Sequence, residues 1–433
     1  VSTIRQIPDR PAAGTGGGRP WLRVAAVMFC CGWGGNQFTP LLLMYRQLAG
    51  YSAVTVDAFL GAYVIGLVPG LLIAGSASDR YGRKPLLVAG TAASLVASAV
   101  LSAGASGELP IYIGRFLTGV AVGIAMAVGT SWVKELSQPP HDPDVQPGSG
   151  ARRAALSLTA GFGLGAGVAG TIAQWGPWPM VSPYIVHILV AAPALLALTG
   201  APETRERTGA VPRLWADLRV PAAGHRRFLR VVLPMAPWIF GSAGIAYAVM
   251  PQLLGERLGH WSLAYATLLT VVAMGTGVLV QPLAKRLDSV STARATIVAM
   301  EAMACGMGVG ACAAAAHSPW LGLGCAMLLG AGYGLAIVSG LLEIQRMVTP
   351  DDLAGLTGLY YALSYTGFLL PELLAALSPL ISYPAMLVVL ALLATASLIA
   401  ITTGSRTTHP SLTVARSSGL GEASATPPTR EDA

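Results

Sequence analysis

The sequence predicts an all-α integral membrane protein, with twelve transmembrane helices arranged as two six-helix bundles. Three observations carry that expectation. First, 54% of the 433 residues are apolar and 11% charged, with a mean hydropathy of +0.61; a soluble globule of this size needs more polar surface. Second, the apolar runs last about 20 residues, the length a helix needs to cross a bilayer, rather than alternating over about 10 as barrel strands do. Third, the basic residues behind the net charge of +7 recur at short intervals between apolar runs and form no single patch. They read as topology signals, and nucleic acid is not an expected partner.

The spans fall at roughly 22–45, 55–77, 85–105, 110–133, 154–175 and 182–200, then at 229–252, 262–284, 294–316, 320–342, 353–377 and 383–403. Of the 27 basic residues, only Arg46 and Arg257 fall in loops of one side, and Arg115 lies within span four. The other side is therefore expected to be cytoplasmic, with both termini inside. Span one follows Arg5, Arg10, Arg19 and a flexible stretch from Gly14 to Gly18. It is too long for a signal-peptide core and has no obvious cleavage site, so it is expected to stay as an uncleaved helix. Lysine is confined to Lys84, Lys134 and Lys285, and Ala, Gly and Arg abound. Such usage suggests a GC-rich genome and a bacterial plasma membrane. The five cysteines all lie inside spans without metal spacing and read as small packing residues.

Domain organisation follows from the polar stretches. A tail covers 1–21, a bundle 22–200, a loop 201–228 rich in arginine, a second bundle 229–403 and a polar tail 404–433 that is expected to be disordered. The halves echo each other. Gly119-x-x-x-Gly123 precedes Pro139, and Gly330-x-x-x-Gly334 precedes Pro350, with 15 residues between motif and proline in each case. Trp21-Leu22-Arg23-Val24 opens span one as Phe228-Leu229-Arg230-Val231 opens span seven, and Gly34 stands at the offset of Gly241. Parallel repeats of this kind predict a pseudo-two-fold axis along the membrane normal.

Between spans two and three lies Gly75-Ser-Ala-Ser-Asp79-Arg80-Tyr-Gly82-Arg83-Lys84. Gly82 permits a tight turn, Arg80, Arg83 and Lys84 hold the loop at an anionic surface, and Asp79 is placed to meet cations or a helix start. The segment resembles the loop between helices 2 and 3 of major facilitator superfamily transporters, and every fixed position of that pattern is filled. The resemblance spans all twelve helices and extends to Arg115-x-x-x-Gly119 in span four and Pro202-Glu203-Thr204-Arg205 after span six. It implies a cytoplasmic gate built from Gly75, Asp79, Arg80, Gly82, Arg83 and Lys84, with Glu135 and Arg152 or Arg153 as a locking pair. A Pro-, Asp- and Gly-rich insertion, Pro139 to Gly150, separates that pair. The family's antiporter motif in helix five is only partly kept in Gly161-Phe-Gly-Leu-Gly165-Ala166-Gly167-Val-Ala169-Gly170, where Ala166 replaces a proline. The glycines read as close-packing positions; the formal dinucleotide spacing of Gly165, Gly167 and Gly170 lies within a span, with no strand before it.

Polar groups inside a span are costly and therefore informative. Arg115, five residues past Pro110, lies about 8 Å below the surface at a rise of 1.5 Å per residue. The resemblance links it to proton or substrate handling, against snorkelling to the interface. Asp57 reads either as part of a cap with Thr55 or as a proton site, and Glu372 as a proton site or a rim residue. Glu301 is expected in a structural pair and His187 in a packing role. The resemblance places helices 1, 4, 7 and 10 around the cavity, which puts Asn36, Gln37, Arg115, Trp238, Tyr247 and Tyr333 on the substrate path. Span eleven adds Tyr361 and Tyr365 beside Tyr360, to stack on a ring or to pack between helices. Such a lining suits a neutral, amphipathic or weakly anionic organic molecule. The implied function is alternating access coupled to protons. Efflux of a drug or metabolite comes first, import of a nutrient by symport second, and a non-transporting sensor a distant third. No metal, cofactor or enzymatic constellation is expected, and the chain is expected to work as a monomer.

Overall fold

The computed structural model describes residues 19–143, 149–205, 221–289, 292–347 and 350–407. The outer parts of both tails and the stretch with Arg207, Arg213 and Arg219 lie outside the described residues. Within them the chain is helical throughout, with turns and no strand. Among the described residues, ten helices are long and apolar enough to cross a membrane. Ala53–Tyr81, Arg83–Leu101, Glu108–Leu136, Ser149–Trp175 and Ser182–Thr199 are spans two to six. Phe228–Leu254, Arg257–Leu287, Arg294–Ala316, Pro319–Met347 and Tyr383–Arg406 are spans seven to ten and twelve.

The other two spans are interrupted. Span one runs Trp21–Asn36, turns over residues 37–40 and resumes as Leu41–Leu48. Continuity through residue 45, expected from hydropathy, fails at Pro40, which has no N–H to donate; the Thr39 hydroxyl donates to Asn36 Oδ1 at 2.6 Å within the turn. Span eleven runs Pro350–Tyr365, tightens into the 3-10 turn Thr366–Leu369 and continues as Leu370–Leu377, again beside a proline, Pro371.

The sequence repeat has a packing meaning. A Cβ on Gly119 would strike the Tyr63 carbonyl, and one on Gly123 would lie 2.6 Å from that of Leu67, so span four presses against span two. Gly330 and Gly334 meet the Ala273 and Gly277 carbonyls in the same way, pressing span ten against span eight. Small residues let helix backbones approach where lipid offers no hydrophobic drive for association. In span five, Gly161 and Gly165 press on span one at Phe29 and Trp33, and Gly170 on Thr267 of span eight; Gly167 has only an ordinary contact, 3.6 Å from Val271.

The molecule has a basic end, where spans two and three join, and a far end, where spans one and two join. Trp175, Trp178, Trp261 and Trp320 are exposed at the far end, as an interfacial aromatic belt requires. Span two begins there with Ser52, whose hydroxyl accepts from the Thr55 N–H at 3.1 Å. That cap corrects the capping reading of Asp57, which lies deeper and is buried. At the basic end Gly82 joins spans two and three with φ +98, a conformation that favours glycine.

Candidate functional site

Arg115 sits in span four with 1% of its surface exposed. Its Nε donates to the Phe59 carbonyl and its Nη1 to the Gly35 carbonyl, both at 3.3 Å. The break in span one leaves its last carbonyls without helical partners, which frees Gly35 for this role. The guanidinium carbon lies 4.7 Å from the Phe38 ring centroid and 4.5 Å from that of Tyr63. Cation–π contacts and carbonyl dipoles thus hold the charge; no carboxylate lies within ion-pair distance among the described residues.

Tyr63 continues into an aromatic cluster that joins the two halves. Its ring lies 6.3 Å from Tyr365 and 6.4 Å from Phe368. Phe240 stacks on Tyr365 at 4.0 Å and also meets Phe368 at 4.9 Å and Tyr333 at 5.6 Å. Tyr247 touches Phe368 at 6.2 Å. The Tyr365 hydroxyl reaches Met126 Sδ at 3.5 Å, and Asn36 Nδ2 reaches Met274 Sδ at 2.8 Å; both contacts cross between halves. Tyr63, Phe240, Phe368 and Met126 were not among the sequence candidates.

Several candidates point elsewhere. Gln37 donates to Ser98 Oγ at 3.0 Å, and Ser98 meets His187 Nδ1 at 2.8 Å. His187 Nε2 is 3.0 Å from the Cys30 carbonyl, so it carries the proton and Nδ1 accepts. Gln37 and His187 therefore brace spans one, three and six. Trp238 donates to Ser397 in span twelve at 3.1 Å, and Tyr361 contacts the Tyr360 ring at 5.4 Å. Neither makes a ring contact with the cluster. Glu301 is exposed on span nine and has no ion-pair partner among the described residues, because its helix face points out of the bundle.

At the far end the halves share polar groups. Gln252 of span seven donates to Asp57 at 2.9 Å and accepts from Arg46 at 3.0 Å. Gln47 donates to Ser262 at 3.0 Å, and Gln174 donates to the His260 carbonyl at 2.6 Å while accepting from the Ala264 N–H at 2.8 Å. Glu372 approaches span two near Asp57: a Cβ on Gly61 would lie 3.1 Å from its carboxylate.

At the basic end the ion pairs close within each half. Buried Arg83 bridges Asp79 at 3.0 Å and Glu135 at 2.8 Å. Glu203 accepts from the N–H groups of Arg83 and Lys84 at 3.0 and 2.9 Å, capping span three where a carboxylate suits the helix dipole. Thr204 bonds Glu135, Arg205 lies 3.6 Å from Asp79, and Lys84 reaches the Thr199 carbonyl at 3.1 Å. Arg80 lies over the Tyr81 ring, and Gly75 has open space where a Cβ would sit. The expected pairing of Glu135 with Arg152 or Arg153 is corrected. Arg83 sits closer, across the helix ends; Arg152 is exposed, and Arg153 pairs with Asp142 at 2.6 Å. In the C-terminal half Arg227 and Glu343 form a buried pair at 2.5 and 2.8 Å, and Arg346 pairs with Asp288. Glu135 and Arg346 stand 16 residues after Gly119 and Gly330 respectively. At this repeat position the charge changes sign, and the ion-pair partner changes with it, from Arg83 to Asp288.

Residues 24–371 match the family model described as Major Facilitator Superfamily. A chloramphenicol resistance protein of Pseudomonas aeruginosa is 23% identical over 253 residues, 56% of this chain and 55% of that protein. A gallate transporter of Pseudomonas putida is 32% identical over 130 residues, 29% of this chain and 26% of that protein. The matched stretches thus span about half and about a quarter of these relatives. The nucleoside transporter NupG superposes with a TM-score of 0.69 at 10% identity, covering 89% of this chain and 98% of its own. The xylose transporter XylE of E. coli gives 0.66 at 14%, covering 88% and 96%. At such identities the likeness concerns the fold.

Proposed function

The chain belongs to the major facilitator superfamily, and from that premise we propose that it is a proton-coupled transporter exporting a small apolar, amphipathic or weakly anionic organic molecule. The observation that carries this reading is the junction itself. A buried guanidinium and a continuous aromatic cluster lie where two helical halves meet, with polar contacts across the halves gathered at the far end. Rocking of the halves about that cluster gives alternating access, with the basic end facing the cytoplasm of a bacterial cell and the far end closed. Resistance proteins among the relatives support efflux.

Asp57 supplies the coupling. As a carboxylate it accepts from Gln252 and holds the far end shut. A proton arriving from outside removes that charge, weakens the cross-half bond and favours opening outward. Release of the proton inward restores closure. Arg83, Asp79 and Glu135 shape the cytoplasmic rim of the N-terminal half. Import by symport is the second reading, favoured by Ala166 in the place of the helix-five proline and by the gallate transporter among the relatives.

Everted vesicles, energised and carrying a pH-gradient dye, test the direction. Collapse of the gradient on addition of a transported compound, dependent on this protein and on intact Asp57, is expected. Silence there, with compound-driven proton entry in right-side-out vesicles, would overturn efflux.

A further inference from the structure

Resting on that reading of the junction as the substrate site, we infer that the molecule carried is an aromatic monocarboxylate, its carboxylate on Arg115 and its ring against the cluster of Tyr63, Tyr365, Phe240 and Phe368. Burying an isolated cation costs several kcal/mol, and neutral partners offset that cost only in part. Arg115 is 1% exposed, yet its partners are two carbonyls at 3.3 Å and two ring faces. Its Nη2 donates to nothing among the described residues. A planar guanidinium with a free donor edge suits a carboxylate.

One positive charge also sets the ligand's charge. A monoanion brings the site to neutrality, a dianion overshoots, an amine is repelled, and a neutral molecule leaves the cation as it was. The ring requirement comes from adjacency. Tyr63 contacts the guanidinium at 4.5 Å on one side and the rings of Tyr365 and Phe368 at 6.3 and 6.4 Å on the other. The Tyr63 ring itself fills the interval, so guanidinium and cluster form one continuous surface, and a carboxylate held on Arg115 sets its own ring against aromatic faces. Aromatic pairs in offset or edge-on geometry add attraction beyond area burial, which a saturated ring forfeits.

Equilibrium binding to the purified protein in nanodiscs tests this without any gradient, using radiolabelled benzoate and unlabelled benzoate, benzamide and cyclohexanecarboxylate as competitors. Benzoate is expected to compete at least about tenfold better than benzamide, the loss typical of a charge-assisted hydrogen bond, and several-fold better than cyclohexanecarboxylate. Arg115→Gln should lose benzoate by a similar factor, Arg115→Lys by less, and Tyr365→Leu should erase the preference for the aromatic ring. The wild-type ranking stands even if Arg115→Gln fails to fold. Equal competition by benzamide, or no benzoate binding, overturns the inference. Neutral compounds exported without benzoate binding would sink it while sparing efflux; benzoate bound but moved only inward would spare it and sink efflux.

Discussion

The far and basic ends of this protein spend their polar groups differently. At the far end, Arg46, Gln47, Asp57 and Gln174 of the first half bond with Gln252, His260, Ser262 and Ala264 of the second. At the basic end, Arg83 with Asp79 and Glu135, and Arg227 with Glu343, close within their own halves. Bonds across halves stabilise one conformation, whereas bonds within a half keep each bundle rigid in every conformation. Damage at the far end should shift populations, and damage at the basic end should cost stability or gate shape.

The largest effect is expected from Arg227→Ala. It strands Glu343 in a buried site, at a cost of about 3–5 kcal/mol, and should lower the thermal unfolding temperature in detergent. Replacing both partners, Arg227→Met with Glu343→Leu, should recover much of the loss; a double variant as unstable as the single one would mean the pair is not structural. Next, Gln252→Leu removes the acceptor of Arg46 and the donor of Asp57, worth about 1–3 kcal/mol for a buried group left unpaired. Leu43 is buried near Gly255 of the other half. In a cysteine-free background, Leu43→Cys should therefore react several-fold faster with an impermeant maleimide when Gln252→Leu is added. Unchanged labelling would mean that Gln252 does not hold the far end shut.

Asp57→Asn keeps the shape and deletes the carboxylate proposed to carry the proton. Substrate movement should persist down its own gradient while losing its response to an imposed pH gradient; retained pH drive would place coupling elsewhere. Asp79 is half exposed and shares Arg83 with Glu135, so Asp79→Asn should change stability by less than about 1 kcal/mol yet slow turnover with insertion intact. Smallest of all, exposed Arg152→Ala should stay within about 0.5 kcal/mol and leave transport unchanged.

Twelve spans, the glycine-paired repeat and the loop at Gly75 to Lys84 were legible because they are local: run length, spacing and charge carry them. Arg115 was legible because a charge inside an apolar run is costly wherever it points. The partners were not. Asp57 and Gln252 are 195 positions apart, and a glutamine near a span end looks like any interfacial residue. Tyr63, Phe240 and Phe368 sit in apolar runs, where a ring that lines a path is indistinguishable from one that packs. Gln37 misled for the opposite reason. It stands on a helix that the resemblance places beside the cavity, but it sits in the break before Pro40 and donates to Ser98, which bonds His187.

The most direct test measures both ends at once, by spin-label distances in nanodiscs. One pair is Leu48→Cys with Trp261→Cys at the exposed far end, the other Lys134→Cys with Lys285→Cys at the exposed basic end. Acidification with substrate present is expected to lengthen the far-end distance and shorten the basic-end distance together. Two distances that grow in concert, or a far end that stays closed under every condition, would contradict alternating access about the Arg115 junction.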